Sequence, residues 1–391
     1  MKVLAALLAL VISAMAQNNR LTPKEAAEGW LLLFDGESMF GWTAEGLAKW
    51  RVADGALVAD SGGYGWLRTN TQVTDYSLRV DFQTAADGNS GIFLRSAKGK
   101  DPHISGYELQ IFDAHPKFPT GSILDARRTS KKIRIDPARW HTYEVFHMGA
   151  RCLVKLDGKK VLDLSDSKSA GGYLGLQFNP NKPVAFRNIK MRPLGLAPLF
   201  NGRNLSGWQE VQPPKPPANP AVWSVKRGLL HVEKGPGQLE TKTLYDDFIL
   251  QMEVRTNATD PNFHPNSGVF FRGMPGGYWT GYEIQIRNEF KDGDRTKPVD
   301  TGTGGIYFHQ PARRVAGTDN EFYTKTVIAQ GRHIATWVNG YPVADWEDPH
   351  PEGTSPRNRQ ALLKAGPIAL QAHDPKTNLD FRNIRLRSLK R

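Results

Sequence analysis

Gly106-Tyr107-Glu108-Leu109-Gln110-Ile111 alternates apolar and polar side chains, and the pattern returns as Gly281-Tyr282-Glu283-Ile284-Gln285-Ile286. A period of two is that of a β-strand, whose successive side chains point to opposite faces. The Tyr, Leu and Ile side chains then share a face that belongs in a core, and Glu and Gln share the outer face. The stretch therefore predicts a strand, predicts it twice, and sets a carboxylate beside an amide on the outer face of each copy.

Outward from these strands the repeat continues in unbroken order. Leu33-Phe34-Asp35-Gly36 with Gly41-Trp42 reappears as Leu199-Phe200-Asn201-Gly202 with Gly207-Trp208. Trp50-Arg51-Val52 returns as Trp223-Ser224-Val225, and Phe186-Arg187-Asn188-Ile189 as Phe381-Arg382-Asn383-Ile384. Asn89-Ser90-Gly91-Ile92-Phe93-Leu94-Arg95 matches Asn266-Ser267-Gly268-Val269-Phe270-Phe271-Arg272. A repeat this long is a whole domain, not a solenoid unit. The predicted domains are residues 27–194 and 195–391. The second copy carries two insertions, Gln212 to Pro220 and Pro349 to Arg359. Both predict surface loops, because proline has no N–H to give a ladder.

Strand signals dominate elsewhere. Asp157-Gly158 and Asn339-Gly340 each separate two short apolar-alternating runs and predict equivalent hairpins. Pro23 to Trp30 is a short helical candidate. Many short strands between Gly and Asn turns predict an all-β fold with two packed sheets in each copy.

At the N-terminus, Lys2, the apolar run Val3 to Ile12 and Ala14-Met15-Ala16 read as a signal peptide over residues 1–16. The run is too short to span a bilayer. A periplasmic or secreted protein without a membrane span is expected. The single cysteine, Cys152, excludes an intramolecular disulfide and sits in a core-like pattern. Lys and Arg number 51 against 39 Asp and Glu, a formal charge of +12. These cations are scattered, so no nucleic-acid partner is expected.

Three constellations could carry chemistry. Glu108 with Gln110, and Glu283 with Gln285, suit the gripping of sugar hydroxyls, and a partly desolvated Glu can act as a general base. The plain alternative is a solvated strand face. Arg95 and Arg272 close the Asn-Ser-Gly runs, where each could reach solvent or pair with the neighbouring Glu. The third is the loop Thr303-Gly304-Gly305-Ile306-Tyr307-Phe308-His309-Gln310-Pro311-Ala312-Arg313. Its counterpart runs Thr120-Gly121-Ser122-Ile123-Leu124-Asp125-Ala126-Arg127. Gln371-Ala372-His373-Asp374 likewise stands where the first copy has Gln177-Phe178-Asn179-Pro180, so His309 and His373 belong to the second copy alone. Trp66, Trp279 and Trp346 lie outside the core motifs and suit stacking on sugar rings. No zinc, phosphate-loop, dinucleotide or nucleophile-elbow motif is present. No cofactor is expected, although a sandwich can assemble a structural calcium site from scattered oxygens.

Taken together, these motifs resemble the 3-keto-disaccharide hydrolase-like domain. The resemblance covers nearly all of the chain beyond the signal, twice. It implies two tandem concanavalin-like β-sandwich (jelly-roll) domains and the cleavage of glycosides already oxidised at C3. Such a ketone acidifies the C2 proton, so elimination needs a base, a donor for the enolate oxygen and an acid for the leaving group. Glu283, Arg272 and His373 offer those types. Asn266, Gln285, Tyr307, His309 and Arg313 are expected to bind substrate, with Asn89, Arg95, Glu108 and Gln110 as their first-copy counterparts. Copy one has Asn179 for His373 and Leu124 for Tyr307, which makes copy two the better active-site candidate. Two alternatives stand beside this: a non-catalytic carbohydrate-binding protein, and a glucanase with two carboxylates flanking the bond.

Overall fold

The structure, a computed structural model, describes residues 18–389 other than 132, 181 and 216. The segment read as a signal peptide lies outside the described residues. The chain divides into two compact units between Leu194 and Gly195. Each is nearly all β, and the short helix Pro23–Ala27 falls within the predicted stretch, capped by Thr22 and Glu25. No helix among the described residues is long and apolar enough to cross a membrane.

The second unit is a two-sheet sandwich. One sheet has five strands, in the order Trp208–Val211, Gly237–Thr241, Ala369–Ala372, Ser267–Phe271, Tyr282–Ile286. The other has eight and includes Val222–Lys226, Phe248–Thr256, Tyr323–Gln330 and Asn378–Ser388. Leu239, Val269, Ile284 and Leu370 from the first meet Val254, Val327 and Phe381 from the second in one apolar core. Burying such side chains stabilises each by roughly 1.5–3 kcal/mol, which holds the two layers together.

In the first unit the strand Ala56–Val73 runs through both layers. Its start pairs with Val184–Pro193 and its end with Gly172–Phe178, so the eleven-stranded sheet curls over on itself. Its partner Trp42–Ala53 is likewise unbroken. The second copy splits this partner into Trp208–Val211 and Val222–Lys226, one in each sheet. The proline-rich insertion lies between them, as prolines without N–H groups would require.

Both hairpins form where expected. Asp157 and Gly158, then Asn339 and Gly340, have positive φ, the conformation of a tight two-residue turn. Tyr76–Thr84 alternates buried and half-buried side chains along its whole length. Cys152 is buried, and burial pushes its thiol up to about 12.

Candidate functional site

The strands Tyr107–Ile111 and Tyr282–Ile286 are buried on both faces. Glu283 and Gln285 do project opposite to Tyr282, Ile284 and Ile286, yet Glu283 is only 7% exposed and Gln285 1%. A solvated strand face is therefore excluded. Gly268 lies opposite Gln285 on the neighbouring strand. A β-carbon there would sit 2.5 Å from Glu283 Oε1. The glycine of Asn-Ser-Gly thus opens the sheet face so that the glutamate can lie across it. Gly91 does the same for Glu108, at 2.8 Å.

The loop after this strand is pinned to its free edge. Gly304 N donates to Gln285 O, Gln285 N to Gly305 O and Tyr307 N to Glu283 O, each at 2.9 Å. These bonds cover an otherwise unpaired edge and bring Tyr307, Phe308 and His309 beside Glu283. A narrow slot is lined by Glu283, Phe270, Tyr307, His309 and Arg357. It adjoins an open cleft of about 440 Å³ that also reaches Trp346, His350 and Arg359. His309 stacks on Trp346 with ring centres 4.5 Å apart.

Burial pushes the Glu283 carboxyl up to about 7, against the opposing pull of Arg357, His373 and Lys325. Lys325 lies beneath the strand, fully buried, and donates its Nζ to Ile284 O at 2.9 Å and Gln285 O at 2.8 Å. In copy one Tyr143 makes the equivalent bond to Gln110 O at 2.8 Å. Burial also holds the His309 imidazole below its ordinary value.

His373 stands just after the strand Ala369–Ala372, which is separated from the Glu283 strand by Ser267–Phe271. Its Nδ1 lies 3.0 Å from Asp374 Oδ2, and its ring stacks flat on Trp279 at 5.6 Å. Trp279 arrives on the loop after Ser267–Phe271, and its backbone N–H donates to Gln238 Oε1 at 2.7 Å. Asn266 accepts from Gln285 Nε2 at 2.5 Å, which orients that amide.

Several expected site residues are corrected. Arg272 does not face Glu283. Its guanidinium bonds to Asp246 O at 2.7 Å, Gly331 O at 2.6 Å, Leu362 O at 3.0 Å and Asp247 Oδ1 at 2.7 Å. Arg95 is clasped alike by Thr74, Gly149, Ser169 and Asp75. Both have φ near +55°, which turns the side chain away from the strand's outer face. These arginines are structural clasps. Arg313 is also outside the cluster, with its guanidinium 5.7 Å over the Tyr341 ring. Trp66 is buried edge-on against Phe93 and is no sugar platform.

Other residues at the site carried no repeat signal. Arg357, Arg359 and His350 come from or border an insertion, so no counterpart in copy one flags them. Glu240 is a second carboxylate on the five-stranded sheet, aligned by register with Arg68 of copy one. It is fully buried and accepts from Gln209 Nε2 at 2.8 Å, Gln238 Nε2 at 3.2 Å and Gly276 N at 3.0 Å. Among the described residues no three His, Cys, Asp or Glu side chains converge as a metal site.

Copy one presents a different carboxylate. Gln177 Nε2 donates to Glu108 Oε1 at 3.0 Å. The Gln110 amide, turned to satisfy its neighbours, donates to Ser90 O at 3.0 Å and to the same Glu108 oxygen at 3.1 Å. Burial pushes Glu108 up to about 7, and Asp101 and Asp125 push it the same way. Among the described residues, no cation is among the groups that shift it.

Several known proteins are similar to this chain. A 3-keto-disaccharide hydrolase of Bacteroides thetaiotaomicron is 26% identical over 132 residues, covering 27% of this chain and 45% of that protein. The chain thus matches less than half the length of that relative. A candidate glycosyl hydrolase from Parabacteroides distasonis aligns over 46% of this chain and 100% of its own, with 23% identity and a TM-score of 0.41. The carbohydrate binding module CBM66 from Bacillus subtilis aligns over 39% and 95%, with 21% identity and a TM-score of 0.33. The pattern of the 3-keto-alpha-glucoside-1,2-lyase-like domain matches residues 29–192 and again 195–387. The chain belongs to that carbohydrate-active family and carries its domain twice.

Proposed function

We propose that the second copy cleaves glycosides carrying a ketone at C3, with Glu283 as the base. The observation that carries this reading is the Glu283 carboxylate itself, desolvated on a sheet face that Gly268 leaves open. Glu283 takes the proton from C2, and the electrons of the C2–H bond form an enolate with its charge on the C3 oxygen. The carbonyl then re-forms, a C1=C2 double bond forms, and the C1–O bond breaks. The departing oxygen takes a proton, and water added across C1=C2 completes hydrolysis. A carboxyl titrating near 7 is a stronger base than an exposed one and is still substantially ionised at neutral pH.

Arg357 and Tyr307 border the same slot and supply donors for the enolate oxygen, the role that Arg272 cannot fill. His373, backed by Asp374, is the acid for the leaving group. Copy one favours a second reading. Its glutamate is gripped by two amides beside two aspartates, which suits holding a sugar or supporting the fold rather than catalysis. The signal-like segment, residues 1–16, supports action outside the cytoplasm. N-terminal sequencing of protein recovered from the periplasm or medium should begin at Gln17, and an intact Met1 would contradict export with cleavage.

The test is turnover of a 3-keto-glucoside by the full-length chain. Glu283→Gln should lower kcat by about 10³-fold, within the range for removing a general base. Glu108→Gln should leave it within about twofold. If Glu108→Gln alone abolished turnover, the ranking of the copies would be wrong. Equal cleavage of an unoxidised disaccharide would remove the ketone-dependent route.

A further inference from the structure

The second copy differs from the first most at the mouth of its site. There, Leu124, Asp125 and Ala126 give way to Tyr307, Phe308 and His309, and an insertion supplies Arg357 and Arg359. The charges acting on the two glutamates change sign accordingly. Asp101 and Asp125 act on Glu108, whereas Arg357, His373 and Lys325, with Asp300 opposing them, act on Glu283.

The insertion is held in place. Gln360 Oε1 accepts from Thr354 N at 3.0 Å and Ser355 N at 3.2 Å, while Gly353 N donates to Ala361 O at 2.9 Å. Pro356 is buried and starts a single 3₁₀ turn that ends on Arg359 at φ +56°. The backbone that carries both arginines is therefore held at the cleft, and the Arg357 guanidinium lies 5.6 Å over the Phe308 ring. His350 is fixed as well, its Nδ1 2.7 Å from Asp348 Oδ1, while the other oxygen of that carboxylate takes the Tyr282 hydroxyl.

Among the described residues, the cleft lining holds two guanidinium groups and two imidazoles and no carboxylate. Its other lining groups are Phe308, Trp346 and Pro356. Phe308 is 64% exposed and has φ +66°, a conformation that costs a non-glycine residue energy, and its ring meets Tyr307 at 4.2 Å and the Arg357 guanidinium at 5.6 Å. An exposed ring in the same cleft lining as Trp346 offers a stacking platform, and arginines carried on a held turn suit a planar or tetrahedral oxyanion.

We infer that this cleft is a subsite for an anionic sugar unit, one bearing a carboxylate or a sulfate, joined to the ring that reacts at Glu283. The inference rests on the glycoside-cleaving reading and names the substrate class of that site.

Calorimetric titration of the full-length chain with glucose, glucuronate and glucose 6-sulfate tests it without depending on linkage or oxidation. At least one anion should bind about tenfold or more tighter than glucose, and the tighter anion identifies the source of the charge. Arg357→Gln with Arg359→Gln should bring that preference within about threefold of glucose, and the doubly lysine-substituted chain should keep part of it. An unchanged Tm would show that the glutamine pair still folds; if it does not, the lysine pair alone decides, by lowering the preference. Equal binding of all three sugars, no binding of any, or a preference that survives loss of both guanidinium groups overturns the inference. Turnover of a neutral 3-keto-glucoside without an anion preference would sink this inference alone. An anion preference without such turnover would sink the proposed reaction alone.

Discussion

A β-carbon added at Gly268 would lie 2.5 Å from Glu283 Oε1 and 2.8 Å from its Cγ. Gly268→Ala must therefore push the carboxylate off its place on the sheet. Since misplacement by about 1 Å can cost 10²-fold, turnover of the 3-keto-glucoside should fall by roughly that factor. Gly91→Ala crowds Glu108 in the same way and should leave turnover unchanged, so the pair of variants separates a catalytic effect from a packing one. The same carboxyl sets a pH dependence. A base must be ionised to act, so kcat/KM should rise with pH and level off above a midpoint near 7. A midpoint in the ordinary carboxylate range, near 4.5, would show that Glu283 is not the base. The alternation Tyr-Glu-Ile-Gln-Ile made the face of Glu283 legible in the sequence. Its burial was not legible, because the groups beside it come from the loops around Tyr307 and Arg357, which have no periodicity to read.

The strand Ser267–Phe271 ends on an arginine that fastens elements together instead of meeting substrate. Arg272 ties the turn at Asp246 and Asp247 to Gly331 and Leu362, and Arg95 ties Asp75 to Gly149 and Ser169. Each is fully buried, so removing it takes the cation from a buried carboxylate, which keeps a backbone N–H partner (Gly331 for Asp247, Gly149 for Asp75), and takes the donor from several carbonyl groups. Arg272→Met should destabilise the second unit by about 3–5 kcal/mol, the usual cost of breaking a buried pair. Urea denaturation measures it. A catalytic arginine would give the opposite pattern, with the midpoint unchanged and kcat lost. The motif Ile/Val-Phe-Leu/Phe-Arg could not reveal this, since the partners of each arginine lie on distant loops. The hairpins were legible because Asp-Gly and Asn-Gly act locally. The proline-rich insertion was legible as a loop, while the split of one strand between two sheets depends on the tertiary register.

Across the whole molecule, the duplicated glutamates impose a shared dependence of stability on pH. Glu108 and Glu283 each titrate near 7 in the folded chain, against 4.5 for an ordinary glutamate. Between those values the folded state keeps protons that the unfolded state has released. The contribution of each carboxyl is therefore complete below about 4.5 and is lost as pH rises through about 7. The gap corresponds to ~3 kcal/mol per group. Aspartates held low by their partners, such as Asp166, Asp374 and Asp380, act in the opposite sense, with stability lost as pH falls below their ordinary value of 3.8. The two classes are thus separated by pH window. Each unit has one glutamate that burial pushes up to about 7, so calorimetry should assign one to each unfolding transition. Glu108→Gln should flatten the fall in Tm between about pH 5 and 8 for one transition, and Glu283→Gln for the other, because glutamine keeps the shape without the ionisation. Parallel Tm profiles for wild type and both variants would mean that neither carboxyl is desolvated. A flattened profile in both units, together with lost turnover in only one variant, would separate the burial common to the copies from the chemistry particular to the second.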